Sequence, residues 1–304
     1  MNKFIFNALA LLSLSACADP FDHGSLIVEP RVLGVQVEVQ GAPRRASPHP
    51  GETVHITLLT ASLEVQPVFR WALAVCVASA DPHAPCQGEP LLVQQDTSSA
   101  PSLTLVVPTE RELFGASALS LFGVVCSRGE PMADASGGHC AGDGAHGTPL
   151  VYQLALASDG DENLQPDLTQ TTFELDGAGW PANVSLQPGC AAQPDLPRVH
   201  ADGKGHDVTI ALGPSARETY LAPDRQTVRE ELALSHFVTA GELSRQFSFV
   251  EPSDATLEPE ITLSWKAPHA SELTGSEQTV RLIVLVRDLR GGIAQIERSL
   301  CVVR

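Results

Sequence analysis

Lysine is nearly missing from this chain. Only Lys3, Lys204 and Lys266 occur, against sixteen arginines, and 36 acidic residues leave a formal net charge of −17. A protein of that balance lacks the basic stripe that releases counterions from a phosphate backbone, which argues against nucleic acid as a partner. Aromatic residues make up 5% of the chain, a composition that does not favour exposed aromatic clusters of the kind that contact glycans. No run beyond the N-terminus is long and apolar enough to cross a membrane, which takes about 20 residues. Catalytic signatures are missing too: there is no GxSxG, HExxH or SxxK, and GPSAR around Ser215 lacks the second glycine of a nucleophile elbow. No glycine-rich phosphate loop follows a strand. A non-enzymatic protein is expected.

What is present begins at the N-terminus. One positive charge at Lys3 precedes an apolar run from Phe4 to Leu14, and Ser15-Ala16 leads to Cys17. A charged start, a short apolar core and small residues before a cut site make a secretory signal. The sequence Leu14-Ser15-Ala16-Cys17 resembles the lipobox of bacterial lipoproteins. That resemblance implies cleavage before Cys17, a diacylglycerol on its sulfur and a further fatty acyl chain, such as palmitate, on its nitrogen. Ala18, where an aspartate marks inner-membrane retention in many such proteins, implies the outer membrane. Residues 1–16 are thus expected as signal peptide and 17–29 as a lipidated tether. The membrane is then a partner through lipid alone.

Six cysteines follow: Cys76, Cys86, Cys126, Cys140, Cys190 and Cys301. An even number in an exported protein implies disulfides. Cys76 and Cys86 flank VASADPHAP, and Cys126 and Cys140 flank SRGEPMADASGGH, both with the composition of loops between strands. Local pairing leaves Cys190 with Cys301, early and late in the second half. The rival pairing joins Cys76 to Cys126 across neighbouring strands.

Short alternating runs bounded by Gly, Pro, Asp and Asn recur along the chain. In RVLGVQVEV, Leu33, Val35, Val37 and Val39 share a face; in ETVHITLLT, Val54, Ile56 and Leu58 do. VFRWALAVCVAS, SLTLVV, ALSLFGVVC and TPLVYQLALA complete a first set. LTQTTFELDG, HDVTIALG, LALSHFVTAG, EITLSWKAP, TVRLIVLVRD and AQIERSLCVV form a second. In TVRLIVLVRD, Val280, Leu282, Val284 and Val286 face a core, while Ile283 and Leu285 point the other way and call for a cover. Short helical turns are expected at PTERELF and PDRQTVREEL. Spacing of this kind reads as all-β, in two antiparallel sandwiches: residues 30–157, then an acidic linker at 158–170, then residues 171–304.

The proline-led first strand with PGETVHITLLTA is similar to the opening of bacterial Ig-like domains, and TAGELSRQFS, LSWKAP and VRLIVLVRDLRGGIAQIERSLCV resemble the closing strands of Ig-like or PKD-like repeats. The combination resembles envelope lipoproteins of myxobacteria-like genomes, with a boundary of the form Asn163-x-x-Pro166 followed by Asp176-Gly177. The resemblance implies tandem Ig-like domains, with Trp71 buried where an Ig strand C carries its tryptophan. The WxFGDG signature of PKD repeats and the strand-B cysteine of antibody domains are both absent.

Three clusters offer metal ligands. Asp159, Asp161, Asn163 and Asp167 stand at positions 1, 3, 5 and 9 of a calcium-loop spacing, although position 6 is Leu164 and position 12 is Gln170. A solvated acidic linker is the competing interpretation. His139, Cys140 and His146 form one imidazole and thiolate set, and His200, Asp202 and His206 another; a glycine-rich loop and a hairpin tip account for them equally well. Trp71 and Trp265 fall on core-facing positions, and Trp180 falls in a loop with room to be exposed. No cofactor other than calcium is suggested. The expected function is a lipid-anchored envelope protein with a structural or assembly role through an envelope protein partner. The alternative is a surface adhesin or glycan-binding module, and a hydrolase with an unfamiliar site comes third.

Overall fold

The computed structural model describes residues 24–64, 67–79, 86–134, 137–158, 162–185, 189–191, 193–222 and 226–304. The expected signal peptide and Cys17 lie outside them. Among the described residues the chain is almost all β. The first half contains β1 (Arg31–Val39), β2 (Thr53–Ala61), β3 (Phe69–Val77), β4 (Leu92–Ser98), β5 (Ser102–Val106), the single-turn helix α1 (Glu110–Leu113), β6 (Ala118–Asp134) and β7 (Gly137–Ala155). The sheets β1-β2-β5 and β4-β3-β6-β7 face each other over one core, where Val35, Val37, Val54, Ile56 and Leu58 meet Trp71, Leu73, Leu119 and Leu121. The turn at α1 is closed by a capping box between Thr109 and Glu112.

The second half contains β8 (Thr172–Leu175), β9 (Ala178–Gly179), β10 (Arg198–His200), β11 (Gly205–Ala211), β12 (Thr219–Leu221), β13 (Thr227–Arg229), β14 (Leu232–Val238), β15 (Glu242–Leu243), β16 (Phe247–Val250), β17 (Glu260–Lys266), β18 (Glu277–Arg287) and β19 (Ile293–Val303). The sheets β10-β19-β18-β14-β16 and β15-β17-β11-β8-β9 enclose a second core. Val280, Leu282, Val284 and Val286 meet Val208, Ile210, Leu212 and Trp265 there. One pair departs from the expected antiparallel pattern: β10 runs parallel to β19. The helical turn expected at PDRQTVREEL is also corrected. Thr227–Arg229 is β13, paired with β12, because β-branched Thr227 and Val228 fit a pleat better than a helix.

Leu33 departs from its expected face. The β1–β2 register shifts between Val32 and Gly34, a bulge that turns Leu33 away from Val35 and Val37. Leu33 packs instead with Ile283, Leu285, Ile293, Phe237, Ala61 and Ile27. Part of the stretch expected as a tether, residues 17–29, is folded. Leu26 bridges Val238 in parallel, Ile27 N–H donates to the Val238 carbonyl and Val238 N–H to the Ser25 carbonyl, each at 2.8 Å. Ser25 to Ile27 therefore belong to the folded body.

The disulfides are Cys76–Cys86, Cys126–Cys140 and Cys190–Cys301. Cys190 lies in the loop before β10. The segment between Cys126 and Cys140 is not a loose loop but the outer part of the β6–β7 hairpin. Cys140 pairs in register with Pro131, five residues beyond Cys126, which in a straight ladder is about 17 Å away. The two Cα atoms are 5.9 Å apart, so the hairpin bends back over its own sheet at the register breaks on either side of Arg128. Glycine permits the return: a Cβ on Gly138 would fall 2.2 Å from the Gly123 carbonyl carbon. Beneath the arm, Ala133 packs on a small cluster of Ala74, Phe122 and Cys76.

Candidate functional site

The two pairs of sheets meet along β18, β19 and the 288–292 turn, and the most elaborate side-chain chemistry of the molecule lies there. Ile283 and Leu285 are fully buried on the side of β18 away from its own core. Their cover is β1, with Leu33, and the end of β2, with Ala61. Gly34 is the point of closest approach, where a Cβ would lie 2.4 Å from the Ile293 Cδ1. Polar groups cross the same seam. Arg287 donates to the Ser235 hydroxyl at 2.9 Å and to the Leu33 carbonyl at 2.8 Å, and Arg281 donates to the Ser62 carbonyl.

The supposed linker is part of this junction. Gln165 is buried and bridges both halves: its Nε2 donates to the Val37 carbonyl and its Oε1 accepts from the Ile293 N–H, each at 2.6 Å. Asn163, also buried, donates from Nδ2 to the Asp288 carboxylate at 2.9 Å, and its own N–H donates to Ser47 at 3.0 Å. Asp288 further accepts the N–H groups of Arg290 and Gly292, each at 2.8 Å. Arg290 reaches Glu230 at 3.0 Å and Glu218 at 3.6 Å and stacks over the Tyr220 ring at 4.1 Å. Glu218 accepts the Leu164 N–H at 3.0 Å. Burial pushes the Glu230 carboxyl up to about 7 and raises Asp288 as well, because desolvation disfavours the charged form.

Beside this network a groove of about 470 Å³ opens between Leu150–Gln153 of β7 and Leu289–Gly292. Tyr152 closes its floor by donating to the Gly291 carbonyl at 3.2 Å, and burial pushes its phenol up to about 12. Val151 and Leu289 line the groove and are exposed. Leu289 holds φ at 61°, a left-handed conformation that costs a side-chain-bearing residue energy.

The structure does not gather the expected metal ligands. Of the calcium spacing, Asp159 and Asp161 lie outside the described residues. Asn163 turns its amide to Asp288. Asp167 accepts from Thr169 at 2.7 Å and pairs with Arg44 at 3.5 Å; the Thr169 hydrogen bonds hold it below the usual carboxylate range. The stretch from Asn163 to Leu168 is packed into the junction and is not a solvated linker. Cys140 is oxidised, His139 is exposed, and His146 contacts the Ser127 hydroxyl at 3.1 Å. Asp202 is held by Lys204 at 2.6 Å, while His206 faces Asp176 at 2.7 Å. Cys190, Cys301 and Glu277 come together, but both sulfurs are in a disulfide and Glu277 accepts the Cys190 N–H at 3.0 Å. Trp180 is not exposed: it is 4% accessible and donates to the Ser299 carbonyl at 2.8 Å. Gln165, Asp288, Glu230 and Arg290 belong to no motif. The signal for them was indirect, in the outward Ile283 and Leu285 that required a cover.

No family model matches the chain, and no curated protein does. Among solved structures, the adhesin InvE of Yersinia pseudotuberculosis is similar at 12% identity, over 90% of this chain and 60% of that chain, with a TM-score of 0.21. The chain thus spans 60% of that neighbour's length.

Proposed function

We propose that this protein is a lipid-anchored, non-catalytic component of the bacterial outer membrane that works as a scaffold for a neighbouring envelope protein. The observation that carries this reading is the junction. A seam of buried side chains, with Gln165 bonded to both halves, joins two sandwiches so that they present a fixed composite surface. Reorienting the sandwiches would leave Gln165 and Asn163 buried without their partners, at a cost of about 1–3 kcal/mol for each group. Three disulfides suit an oxidising compartment, and the lipobox resemblance at Cys17 supplies the anchor. The groove between β7 and the 288–292 turn spans the seam, so it exists only while the two halves are docked. A partner that inserts there reads both sandwiches at once.

Crosslinking and pull-down of C-terminally tagged protein from intact cells tests the reading, with Cys17→Ala as the control. One stoichiometric envelope protein, lost when Cys17 is replaced, is the expected result. Recovery of the chain alone would remove the scaffold reading.

A further inference from the structure

The outer face of the β10-β19-β18-β14-β16 sheet is divided. Its centre, at Ile283, Leu285 and Phe237, is covered by the first sandwich. Its margin at β16 is bare. Phe247 is 51% exposed and Phe249 is 60% exposed, while Ser248 and Val250 between and beyond them are buried. Register sets Phe247 opposite Ser235 and Phe249 opposite Ala233 on β14, so the two rings continue the covered apolar face into solvent. β16 is also the last strand of its sheet.

The place where the N-terminus joins the body decides what lies against this margin. Leu26 is level with Val238 on β14, which puts Gly24 level with His236. The His236 N–H donates to the Gln246 carbonyl at 2.8 Å, and a Cβ on Gly24 would fall 2.9 Å from the Gln246 Oε1. The chain therefore enters the fold beside the first residue of β16, on the second sandwich and not the first. Six residues, Ala18 to His23, separate Cys17 from Gly24. At ~3.5 Å for each Cα step, an acyl group on Cys17 lies within about 25 Å of Gly24.

We propose that the β16 margin is a membrane-contact surface, with Phe247 and Phe249 resting in the lipid layer that holds Cys17. The position of this margin against the membrane rests on the lipidation of Cys17; the affinity of the two exposed rings for lipid does not. Exposed apolar rings gain by leaving water for the acyl boundary, and they add to the hold of the lipid chains. Charge selects the kind of surface. The chain carries −17 overall and is repelled by anionic headgroups, whereas Arg245 and Glu251 flank β16 with opposite signs. The contact fits a zwitterionic, phosphatidylcholine-like surface. Docked this way, the second sandwich is held at the membrane together with the tether.

The test places one reporter, Phe249→Trp, in lipidated protein on phosphatidylcholine vesicles with bromine in the acyl chains. The native Trp71, Trp180 and Trp265 are buried and form the background. Expected is at least twofold quenching of the added emission. A second reporter, Val151→Trp, at a site 77% exposed on the first sandwich, should show none. Equal quenching of the two, no quenching at position 249, or a crosslinked dimer through β16 in its place overturns the proposal. Intact mass separates this from the anchor reading. If Cys17 carries no acyl chain, the anchor reading falls alone, and flotation of the unmodified chain with the same vesicles decides the surface. A loss of at least tenfold in Phe247→Ser/Phe249→Ser supports it, and absence of flotation by the parent chain overturns it.

Discussion

Each sandwich buries the outer face of one of its sheets, and the two do so by opposite means. The first covers β3 and β6 with its own chain, by folding the β6–β7 hairpin back over them. The second covers β18 with its neighbour, through β1 and the end of β2. The self-made cover is thin: Ala133 meets three buried residues, Ala74, Cys76 and Phe122. A glycine-rich arm buries too little apolar area to offset its own ordering entropy, and a disulfide at its base restricts the alternatives. The borrowed cover buries seven apolar residues, and among the described residues no disulfide crosses it. Where the covering surface is large, burial suffices; where it is small, a covalent staple supplements it.

Breaking the borrowed cover has the largest expected effect. Ile283→Asp places a carboxylate between the halves with no partner for it, at a cost of about 3–5 kcal/mol. The neighbouring Leu282 and Val284 on the same strand face the second core and are untouched, so the second sandwich should still fold. Calorimetry is expected to show the single transition of the parent split into two, with the lower one assigned to undocking. A single transition of unchanged midpoint would mean that the seam does not couple the halves.

Opening the self-made cover comes next. Cys126→Ser/Cys140→Ser removes a staple across 14 residues of sequence, worth about 3 kcal/mol in the chain-entropy model. Amide exchange should quicken in residues 128–146 and at Phe122, while exchange at β18 and β19 stays as in the parent. Faster exchange at the seam would contradict the independence of the two covers.

Much of this architecture was legible in the alternation of single strands. Val54, Ile56 and Leu58, or Val208, Ile210 and Leu212, could be placed because a period of two fixes a face. The demand for a cover over Ile283 and Leu285 was legible in the same way. What supplied the cover was not, because the trace of the bulge in RVLGVQVEV is Gly34, and a glycine inside a strand marks a bulge or a close approach without saying to what. The folded-back hairpin was hidden for a related reason: its turn chemistry matches a loop, and only the 5.9 Å between Cys126 and Cys140 against their register reveals the bend. Trp180 and Gln165 sit in turn-rich segments whose burial is decided by partners more than a hundred residues away, Ser299 and Ile293. The junction polar groups were unreadable because a hydrogen-bond network across two sandwiches has no sequence spacing.

The smallest expected effect sharpens the comparison through pH, since the borrowed cover has titratable groups at its margin. Glu230 is buried beside Arg290 and holds its proton up to about 7, against 4.5 when unperturbed. A carboxyl that binds its proton more tightly in the folded chain stabilises it fully below about 4.5, and that contribution is lost as pH rises through about 7. His236, between Ser248 and the second core, works in the other direction. Burial lowers it from 6.5 to about 4, so its contribution is full above 6.5 and is lost as pH falls through about 4. Between about pH 4.5 and pH 6.5 the two slopes oppose each other. Glu230→Gln removes only the first, so it should raise the melting temperature at pH 8 relative to the parent and leave it nearly unchanged at pH 5. The difference amounts to at most about 3 kcal/mol, or several degrees for a chain of this size. If Glu230→Gln instead lowered the melting temperature equally at both pH values, the carboxylate of Glu230 would be ionised in the folded protein throughout, and the Arg290 ion pair would outweigh its burial.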